Sequence, residues 1–305
     1  MTTSRVSLLI PSYNSAATIR ETLESVQANQ EALRNLLGVW IADDGSTDST
    51  VDVARAAWRS DCSLEIISDG RNHGQWRNVN QSFDRLGEFS DWILILHSDD
   101  LVMRGWLGSM LKTIDSASPT LGAIGSYYDY LLSDGNTRLP GTHLASEPTL
   151  FRGDPQTVRY TLRRGCWWHI SSSGIRVAAY RDVGPFREEF DYSADWEWLT
   201  RCLQGGWDVQ YLSEALHVRR LSPEGVAGGA LAHDRDVEQA LLLIAKYPHS
   251  LSKNELRTFH AFRANVVLRR SVRALLNRRL GRLALSARTM GKVLRSYSKL
   301  SKMSA

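Results

Sequence analysis

Two pairs of adjacent aspartates are the residues of this chain whose types and spacing best suit chemistry. Asp43 and Asp44 form one pair, and Asp99 and Asp100 form the other. Neighbouring carboxylates supply the oxygen ligands that Mg²⁺ and Mn²⁺ prefer, commonly together with the phosphates of a substrate. A single Asp-Asp-Gly-Ser run is equally typical of a turn. If the fold brings both pairs together, cation binding is favoured, because clustered negative charges destabilise a protein unless a cation binds them.

Each aspartate pair directly follows a short apolar run that is typical of a buried β-strand. The predicted strands cover Val6–Ile10, Leu37–Ala42, Leu64–Ile67 and Trp92–Leu96. Apolar residues at helical spacing predict helices over Ser15–Asn29, after Asp48 and from about Gln75 to Leu86. Strands that alternate with helices indicate an α/β fold with a mostly parallel central sheet, in which ligands bind at the carboxyl ends of the strands. Both aspartate pairs are therefore predicted to lie at one edge of one sheet.

The composition excludes several classes of protein. Of the 305 residues, 43% are hydrophobic and 23% are charged, which excludes a disordered chain. The longest apolar runs are far shorter than the roughly 20 residues that span a bilayer. Pro11 ends the first of these runs, which is typical of a strand rather than an export signal. Cys62, Cys166 and Cys202 are too widely spaced for a disulfide framework or a zinc cluster, which favours a reducing cytosol.

The net charge of +4 conceals two regions of opposite sign. Residues 256–305 contain 13 Lys or Arg and no Asp or Glu, whereas residues 1–255 have a balance of −9. A basic segment on an acidic body indicates an anionic partner surface, usually lipid headgroups or nucleic acid. Because the body is acidic, no nucleic-acid partner is expected.

Apolar residues between Leu276 and Tyr297 recur at alternating steps of four and three. This spacing predicts a long helix with one narrow apolar stripe and with Arg and Lys on its other faces. Such a stripe is compatible with packing on the body, with a dimer through this C-terminal helix, or with a basic amphipathic segment on an anionic membrane. The membrane is slightly favoured, which predicts a cytoplasmic protein that is peripheral to the inner face of the membrane.

Five short motifs occur in an order that resembles glycosyltransferase family 2, a class of enzymes with the nucleotide-sugar-binding GT-A fold. They are Pro11-Ser12-Tyr13-Asn14, Asp43-Asp44-Gly45-Ser46-Thr47-Asp48-Ser49-Thr50, Asn72-His73-Gly74 with the later Asn80, Ser98-Asp99-Asp100, and Val183–Phe190 followed by Asp195–Arg201. Each motif alone is weakly specific, but five in order are strong together. The resemblance implies a GT-A domain over residues 1–225, followed by a helical, Arg/Lys-rich extension over residues 226–305.

The resemblance implies an inverting, divalent-metal-dependent enzyme of cell-surface polysaccharide or glycolipid biosynthesis. Its donor would be a UDP-, dTDP- or GDP-linked sugar, its acceptor a saccharide or a lipid-linked molecule, and its cofactor Mn²⁺ or Mg²⁺. Two alternatives stay open, a non-catalytic nucleotide-sugar-binding relative in a membrane-associated complex and a sugar-phosphate nucleotidyltransferase. The second would need a glycine-rich, basic phosphate loop after the first strand, where this chain has Pro11 to Asn14.

The resemblance also assigns residues to a donor site. The nucleotide-sugar site would contain Pro11, Tyr13, Asn14, Asp44, Arg77 and Asp99. Tyr13 would stack on the base, and Asp44 would accept the imide N–H of uracil or thymine. Asp99 would contact the ribose and Asp100 would bind the metal, although the reverse assignment of these two stays open.

Asp195 is the candidate general base that the resemblance implies. An inverting transfer is a single displacement that needs one carboxylate on the acceptor side and no enzyme nucleophile. Many relatives have Glu directly before this position, where the chain has Ala194. Asp195 is also well placed to cap the helix that follows it, and the two roles are compatible.

Three further positions depart from the family pattern. Arg77 would replace an arginine that the family often carries two positions later. His97 stands where many relatives have another Asp. We expect its side chain to hydrogen-bond to the backbone rather than to coordinate a metal. After the last core strand, Arg219 or Arg220 would offset diphosphate charge, but Leu221 lies near the position of the family's histidine, which leaves a third metal ligand open.

Overall fold

The computed structural model describes residues 4–132, 134–141, 147, 149–221 and 232–303. Its described strands are β1 (Val6–Ser12), β2 (Leu36–Asp43), β3 (Leu64–Ile67), β4 (Trp92–Ile95), β5 (Leu101–Val102), β6 (Leu121–Leu131), β7 (Arg138–Pro140), β8 (Thr149–Phe151), β9 (Ser173–Arg176) and β10 (Asp208–Arg220). Its described helices are α1 (Ile19–Gln27), α2 (Gln30–Leu33), α3 (Thr50–Ala57), α4 (Gln75–Leu86), α5 (Trp106–Asp115), α6 (Pro155–Arg164), α7 (Val177–Val183), α8 (Ala194–Gln204), α9 (Arg235–Lys246), α10 (Lys253–Leu276) and α11 (Leu280–Met303). The predicted α/β fold is confirmed.

The first half of the sheet is the parallel unit that the sequence predicts. Strand β1 pairs in parallel with β2 and β4, and β2 pairs in parallel with β3. The second half is mixed, because β9 runs antiparallel between β4 and β6 whereas β6 and β10 are parallel. The strand order is β3-β2-β1-β4-β9-β6-β10-β5, with β7 on β6 and β8 on β10.

Both faces of the parallel unit are buried, which explains why its strands are almost continuously apolar. All seven residues of β1 are buried. One face packs on α1, α3 and α5 through Leu23, Ala54 and Trp106. The other packs on α4 and α8 through Phe83 and Trp198. Because helices cover both faces, the carboxyl edge is where polar side chains of this unit can meet a ligand.

The last three helices pack against the body and share its core. Val237 of α9, Leu256 of α10 and Val293 of α11 belong to the same buried cluster as Trp198 of α8. The predicted domain boundary near residue 225 lies within residues 222–231, outside the described residues, and stays a prediction.

Helices α10 and α11 form an antiparallel hairpin, and this differs from the single helix predicted from Leu276 to Tyr297. The helical path is interrupted at residues 277–279, where Arg278 adopts a left-handed conformation with φ 53°. The two helices then run side by side, since His260 Nε2 lies 3.0 Å from Ser296 Oγ. The interruption is what allows the chain to turn back on itself.

The apolar stripe predicted for this region is wrong, because the hairpin buries a different set of residues. Leu276, Leu280 and Leu294 are exposed. The buried positions of α11 are Ser286, Thr289, Val293 and Leu300. Packing against α10 and the body therefore selects a different face from the one that spacing alone suggests. Neither of these helices, nor any other described helix, has the length and hydropathy that a bilayer-crossing segment requires.

Candidate functional site

The loops that follow β1, β2 and β4 are joined by hydrogen bonds at the carboxyl edge of the sheet. Ser15 Oγ, after β1, lies 2.7 Å from Ser98 Oγ, after β4. The Ser15 backbone N–H also donates to Thr50 Oγ1 at 2.7 Å, and the Ala16 N–H donates to Asp48 Oδ2 at 3.1 Å. The two aspartate pairs are thus carried by loops that are tied to one another, as their strand-end positions predict.

The first aspartate pair organises the loops after β2 and β3. Asp44 is buried, and its two carboxylate oxygens accept the backbone N–H groups of His73 and Gly74 at 2.8 and 2.9 Å. Asp43 accepts the Ser46 N–H at 3.1 Å and so stabilises its own turn. Each Asp44 oxygen keeps a second acceptor position, so the side chain is held in place without being saturated.

A close approach of backbone explains the glycine between these loops. Gly45 has φ +70°, and a Cβ atom placed there would lie 2.6 Å from the carbonyl carbon of Arg71. Only glycine fits both the left-handed conformation and the contact. The run of Asp, Gly and Ser therefore acts as a tight turn and also as the element that presents Asp44.

The segment after β1 is partly structural and partly exposed. Asn14 accepts the Thr47 N–H on its side-chain oxygen at 2.8 Å, and its own N–H donates to Ser46 Oγ at 2.9 Å. Pro11 is buried within β1 opposite Ala42 of β2. Tyr13 is 46% exposed, so its ring is accessible to a ligand at this edge.

Arg77 lies on the exposed side of the first turn of α4, directly after the amides that hold Asp44. The position two residues later, Val79, is fully buried in the core. An arginine at that position would point into packed side chains in this chain, whereas Arg77 is accessible to solvent. The structure therefore leaves Arg77 available for the role that the resemblance suggests.

The second aspartate pair forms a group of potential metal ligands with a histidine. One ligand atom from each of His97, Asp99 and Asp100 lies within 4.8 Å of the other two. The expectation that the His97 ring hydrogen-bonds backbone is wrong, because its Nε2 atom is buried and has no hydrogen-bond partner among the described residues. Its backbone N–H instead donates to Ser171 Oγ at 3.0 Å.

Asp100 is held by two groups of the last core strand, β10. Its Oδ2 accepts from His217 Nε2 at 3.0 Å, and its Oδ1 accepts the Arg220 N–H at 2.9 Å. Because a carboxylate only accepts, Nε2 of that histidine carries a proton, and its Nδ1 has no partner among the described residues. His217 thus lies beside the aspartate pair. It is four positions before Leu221, which lies near the position where the family has a histidine.

The two carboxyls of this pair ionise differently. Burial, followed by the negative charge of Asp100, raises the pKa of Asp99 to about 7. Burial also opposes ionisation of Asp100, but the charge and hydrogen bond of His217 outweigh it and hold the pKa of Asp100 well below its usual range. Burial lowers the pKa of His97 to about 4, so this imidazole is neutral at pH 7. A cation placed here would stabilise the charged form of Asp99.

Asp195 lies in the first turn of α8, where its Oδ1 accepts the Trp196 N–H at 2.8 Å. The N-cap position is Ser193, one residue before the helix, so Asp195 does not occupy the N-cap that the sequence suggests. Burial raises the pKa of Asp195 to about 6, against the lowering effects of the Trp196 N–H, of Arg219 and of a hydrogen bond from Cys166. A carboxylate with such a pKa is suited to accept a proton near neutral pH.

Arg219 connects the two acidic regions. Its guanidinium interacts electrostatically with Asp99, Asp100 and Asp195. The neighbouring Arg220 is used structurally, since its Nε donates to the Asp99 backbone oxygen at 3.0 Å. The alternation of side chains along β10 puts Arg219 on the same face of the strand as His217. Asp99, Asp100 and Asp195 therefore lie near one guanidinium.

Three aromatic side chains meet beside Asp100, a contact that sequence patterns do not predict. The rings of His169 and His217 lie 5.8 Å apart, and the Tyr128 ring lies 5.7 Å from each. These residues belong to three separate segments. The only sequence signal for His217 is its period-two relation to Arg219 on one strand, and the other two have none.

Residues 7–182 match the model of the family described as Glycosyl transferase family 2. The glycosyltransferase AglE of Haloferax volcanii is 24% identical over 72% of this chain and 68% of its own. An undecaprenyl-phosphate 4-deoxy-4-formamido-L-arabinose transferase of Pseudomonas syringae is 32% identical over 31% of this chain and 28% of its own. The aligned region thus spans less than a third of the second relative.

Two solved structures share the fold at low sequence identity. S. aureus TarS 1–349, solved with UDP-GlcNAc, superposes with a TM-score of 0.63 at 16% identity, covering 97% of this chain and 92% of that one. The mannosyltransferase PcManGT from Pyrobaculum calidifontis, solved with GDP-Man and Mn²⁺, gives a TM-score of 0.59 at 17% identity, covering 96% and 87%.

Proposed function

Since the chain belongs to glycosyltransferase family 2, we propose that it transfers a sugar from a nucleotide diphosphate sugar to an acceptor hydroxyl by a single inverting displacement with the help of a divalent cation. The observation that carries this proposal is that Asp99, Asp100 and Asp195 all lie close enough to Arg219 to interact with its charge. A transferase needs both groups, because negative charge develops on the leaving diphosphate while the acceptor loses a proton.

Asp195 acts as the general base. Its Oδ1 accepts the Trp196 N–H, which orients the carboxylate, and the carboxylate keeps further acceptor positions for the hydroxyl of the acceptor. Its burial-raised pKa of about 6 makes it a stronger base than a solvated aspartate while it stays ionised at pH 7. Because the attack is direct, inversion at the anomeric carbon follows.

The donor nucleotide lies across the loops after β1 and β2. The exposed Tyr13 ring stacks on the base, and Asp44, oriented by two backbone amides, accepts a base N–H. Pro11 and Asn14 shape this loop. Arg219, and Arg77 at the start of α4, offset the charge of the diphosphate.

His97, Asp99 and Asp100 would hold the cation, with Asp99 also within reach of the ribose. Their ligand atoms lie within 4.8 Å, and the buried, unpartnered Nε2 atom of His97 is the feature that a metal would satisfy. When bound, Mn²⁺ or Mg²⁺ would supply Lewis-acid stabilisation of the leaving diphosphate. The Mn²⁺ in the PcManGT complex supports this choice of cofactor.

A ligand set with one imidazole predicts a preference for Mn²⁺ over Mg²⁺, because Mg²⁺ favours oxygen ligands and the nitrogen raises affinity for transition metals. We expect His97→Asp to narrow the ratio of Mn²⁺ to Mg²⁺ affinity about tenfold. Paramagnetic resonance of Mn²⁺, displaced by Mg²⁺ in the presence of UDP, measures this ratio without turnover. The exposed His249→Asn variant is the control, and an unchanged ratio in His97→Asp would remove His97 from the ligand set.

The raised pKa of Asp195 predicts the pH dependence of the reaction. Because the base must be deprotonated, kcat should fall about tenfold per pH unit below about pH 6 and level off above it. The assay uses saturating concentrations of donor and metal, so that the titration of Asp99 does not affect this profile. The measurement is initial rate against pH, and a profile that stays flat from about pH 7 down to about pH 5 would contradict the assignment.

The substrates are proposed by class. UDP-, dTDP- and GDP-linked sugars are the candidate donors, and TarS and PcManGT were solved with a UDP- and a GDP-linked sugar. The acceptor is a saccharide or a lipid-linked molecule of cell-surface polysaccharide or glycolipid assembly, at the cytoplasmic face of the membrane. The undecaprenyl phosphate in the name of one relative supports a lipid-linked acceptor. Thermal shift with each nucleotide sugar plus Mn²⁺ identifies the donor, and no stabilisation by any of them would oppose the proposal.

A further inference from the structure

The turn between α10 and α11 carries a cluster of exposed apolar side chains. Leu268, Val272, Leu275, Leu276 and Leu280 are each between 49% and 78% exposed. The first four recur at steps of four, three and one, so they share one face of α10, and Leu280 continues the cluster across the turn. We call these five residues the hairpin tip. Solvent contact with so many neighbouring large side chains is unfavourable and marks an interaction surface.

Basic side chains surround the hairpin tip. Arg269, Arg273, Arg278 and Arg279 are all exposed, and none forms an ion pair with a described residue. No Asp or Glu occurs between residues 256 and 305 that could neutralise them within the hairpin. The tip therefore combines apolar side chains with an excess of positive charge.

Ion pairs beside the tip fasten the hairpin to the start of α9, so the tip is held in a fixed position on the body. Arg270 bonds to Asp234 and Asp236 at 2.7 and 2.8 Å, and Arg282 bonds to Asp234 at 2.6 Å. Lys292 pairs with Glu238 at 2.5 Å. These cations are used internally, whereas those at the tip stay available to a partner.

We propose that the hairpin tip docks on an anionic lipid surface, with its leucines among the acyl chains near the headgroups and its arginines on lipid phosphates. An anionic lipid surface accounts for both the exposed apolar side chains and the arginines. In interfacial binding, the free energy of apolar burial adds to that of attraction to anionic lipids. A second copy of the chain seated tip to tip would bring like charges together. Nucleic acid would use the arginines but leaves the leucines in water.

Vesicle co-sedimentation of the full chain tests the proposal without any nucleotide sugar, so its outcome is independent of the proposed transferase activity. We expect binding to mixed phosphatidylcholine–phosphatidylglycerol vesicles that weakens with added salt, and little binding to phosphatidylcholine alone. The variant Leu276→Ser/Leu280→Ser should lose about tenfold in affinity, and Arg278→Gln/Arg279→Gln a comparable amount. All four positions are exposed, so the fold should persist.

Matched controls separate the tip from the rest of the chain. Leu294→Ser removes an exposed leucine of the same hairpin about 21 Å along α11 from Leu280, and Leu242→Ser removes one from α9. Both should bind vesicles as wild type does. Equal loss in Leu294→Ser, binding to neutral vesicles as strong as to anionic ones, or no vesicle binding would each overturn the proposal. So would sedimentation showing that the tip variants only dissociate a dimer.

Discussion

Asp195→Asn is expected to lower kcat by about 100- to 10,000-fold while leaving donor affinity nearly unchanged, because it removes a general base and keeps the size and polarity of the side chain. The asparagine oxygen can still accept the Trp196 N–H that orients the native carboxylate. Turnover with a donor that stabilises the protein, together with calorimetric titration of UDP and Mn²⁺, measures both quantities. The outcome separates a role in the chemical step from a role in folding or binding.

Asp52→Asn is the matched control, since Asp52 also lies in the first turn of a helix but is exposed on α3. It should leave both quantities unchanged. A rate for Asp195→Asn near that of wild type would exclude Asp195 as the base. Equally negligible turnover of wild type and variant over a broad panel of donors and acceptors would instead favour the non-catalytic nucleotide-sugar-binding alternative.

Asp100→Ala is expected to abolish the part of UDP binding that depends on Mn²⁺, with a loss of at least about 100-fold in affinity, because a ligand carboxylate with a strongly favoured charged form is removed. UDP binding without metal should persist, since the proposed base contacts lie on the loops after β1 and β2. Calorimetry with and without Mn²⁺ distinguishes these two components.

Removal of Asp100 also leaves His217 and the Arg220 N–H without their partner, so a folding defect must be separated from a binding defect. Asp100→Asn keeps an oxygen for the Arg220 N–H and serves as the second variant, with the melting temperature as the check on folding. The exposed Asp61→Ala variant is the control. If either Asp100 variant bound UDP with Mn²⁺ as tightly as wild type, the metal assignment would be wrong.

Local patterns in the sequence placed the acidic pairs correctly. The apolar runs predict β1, β2, β3 and β4 to within two residues at each end, and the largest difference is at the carboxyl end of β1, where pairing with β2 continues through Ser12. The positions of Asp44 and Asp100 at strand ends follow directly, because parallel strands present their carboxyl ends at one edge. The same patterns could not show that Asp44 holds the turn before α4.

The helical extension shows the limit of such patterns. Spacing predicts one helix from Leu276 to Tyr297, whereas the helix begins at Leu280 after a turn. Several faces of a helix can carry apolar residues, and spacing does not say which face packs. The turn at Arg278 and the contact of His260 with Ser296 select the buried face. As a result Leu276 and Leu280, predicted on one long stripe, lie together at the hairpin tip.

By itself the sequence determined the α/β architecture, the strand-end aspartates, the opposite charges of body and tail, and the membership of a glycosyltransferase family. These properties are encoded in short-range periodicity and in motif order. The tertiary contacts bring His217 to Asp100, 117 residues away, and bring Arg219 near both Asp100 and Asp195. Such contacts depend on the order of strands in the sheet, which brings β10 beside β6 and near the end of β4 through interactions that no local pattern specifies.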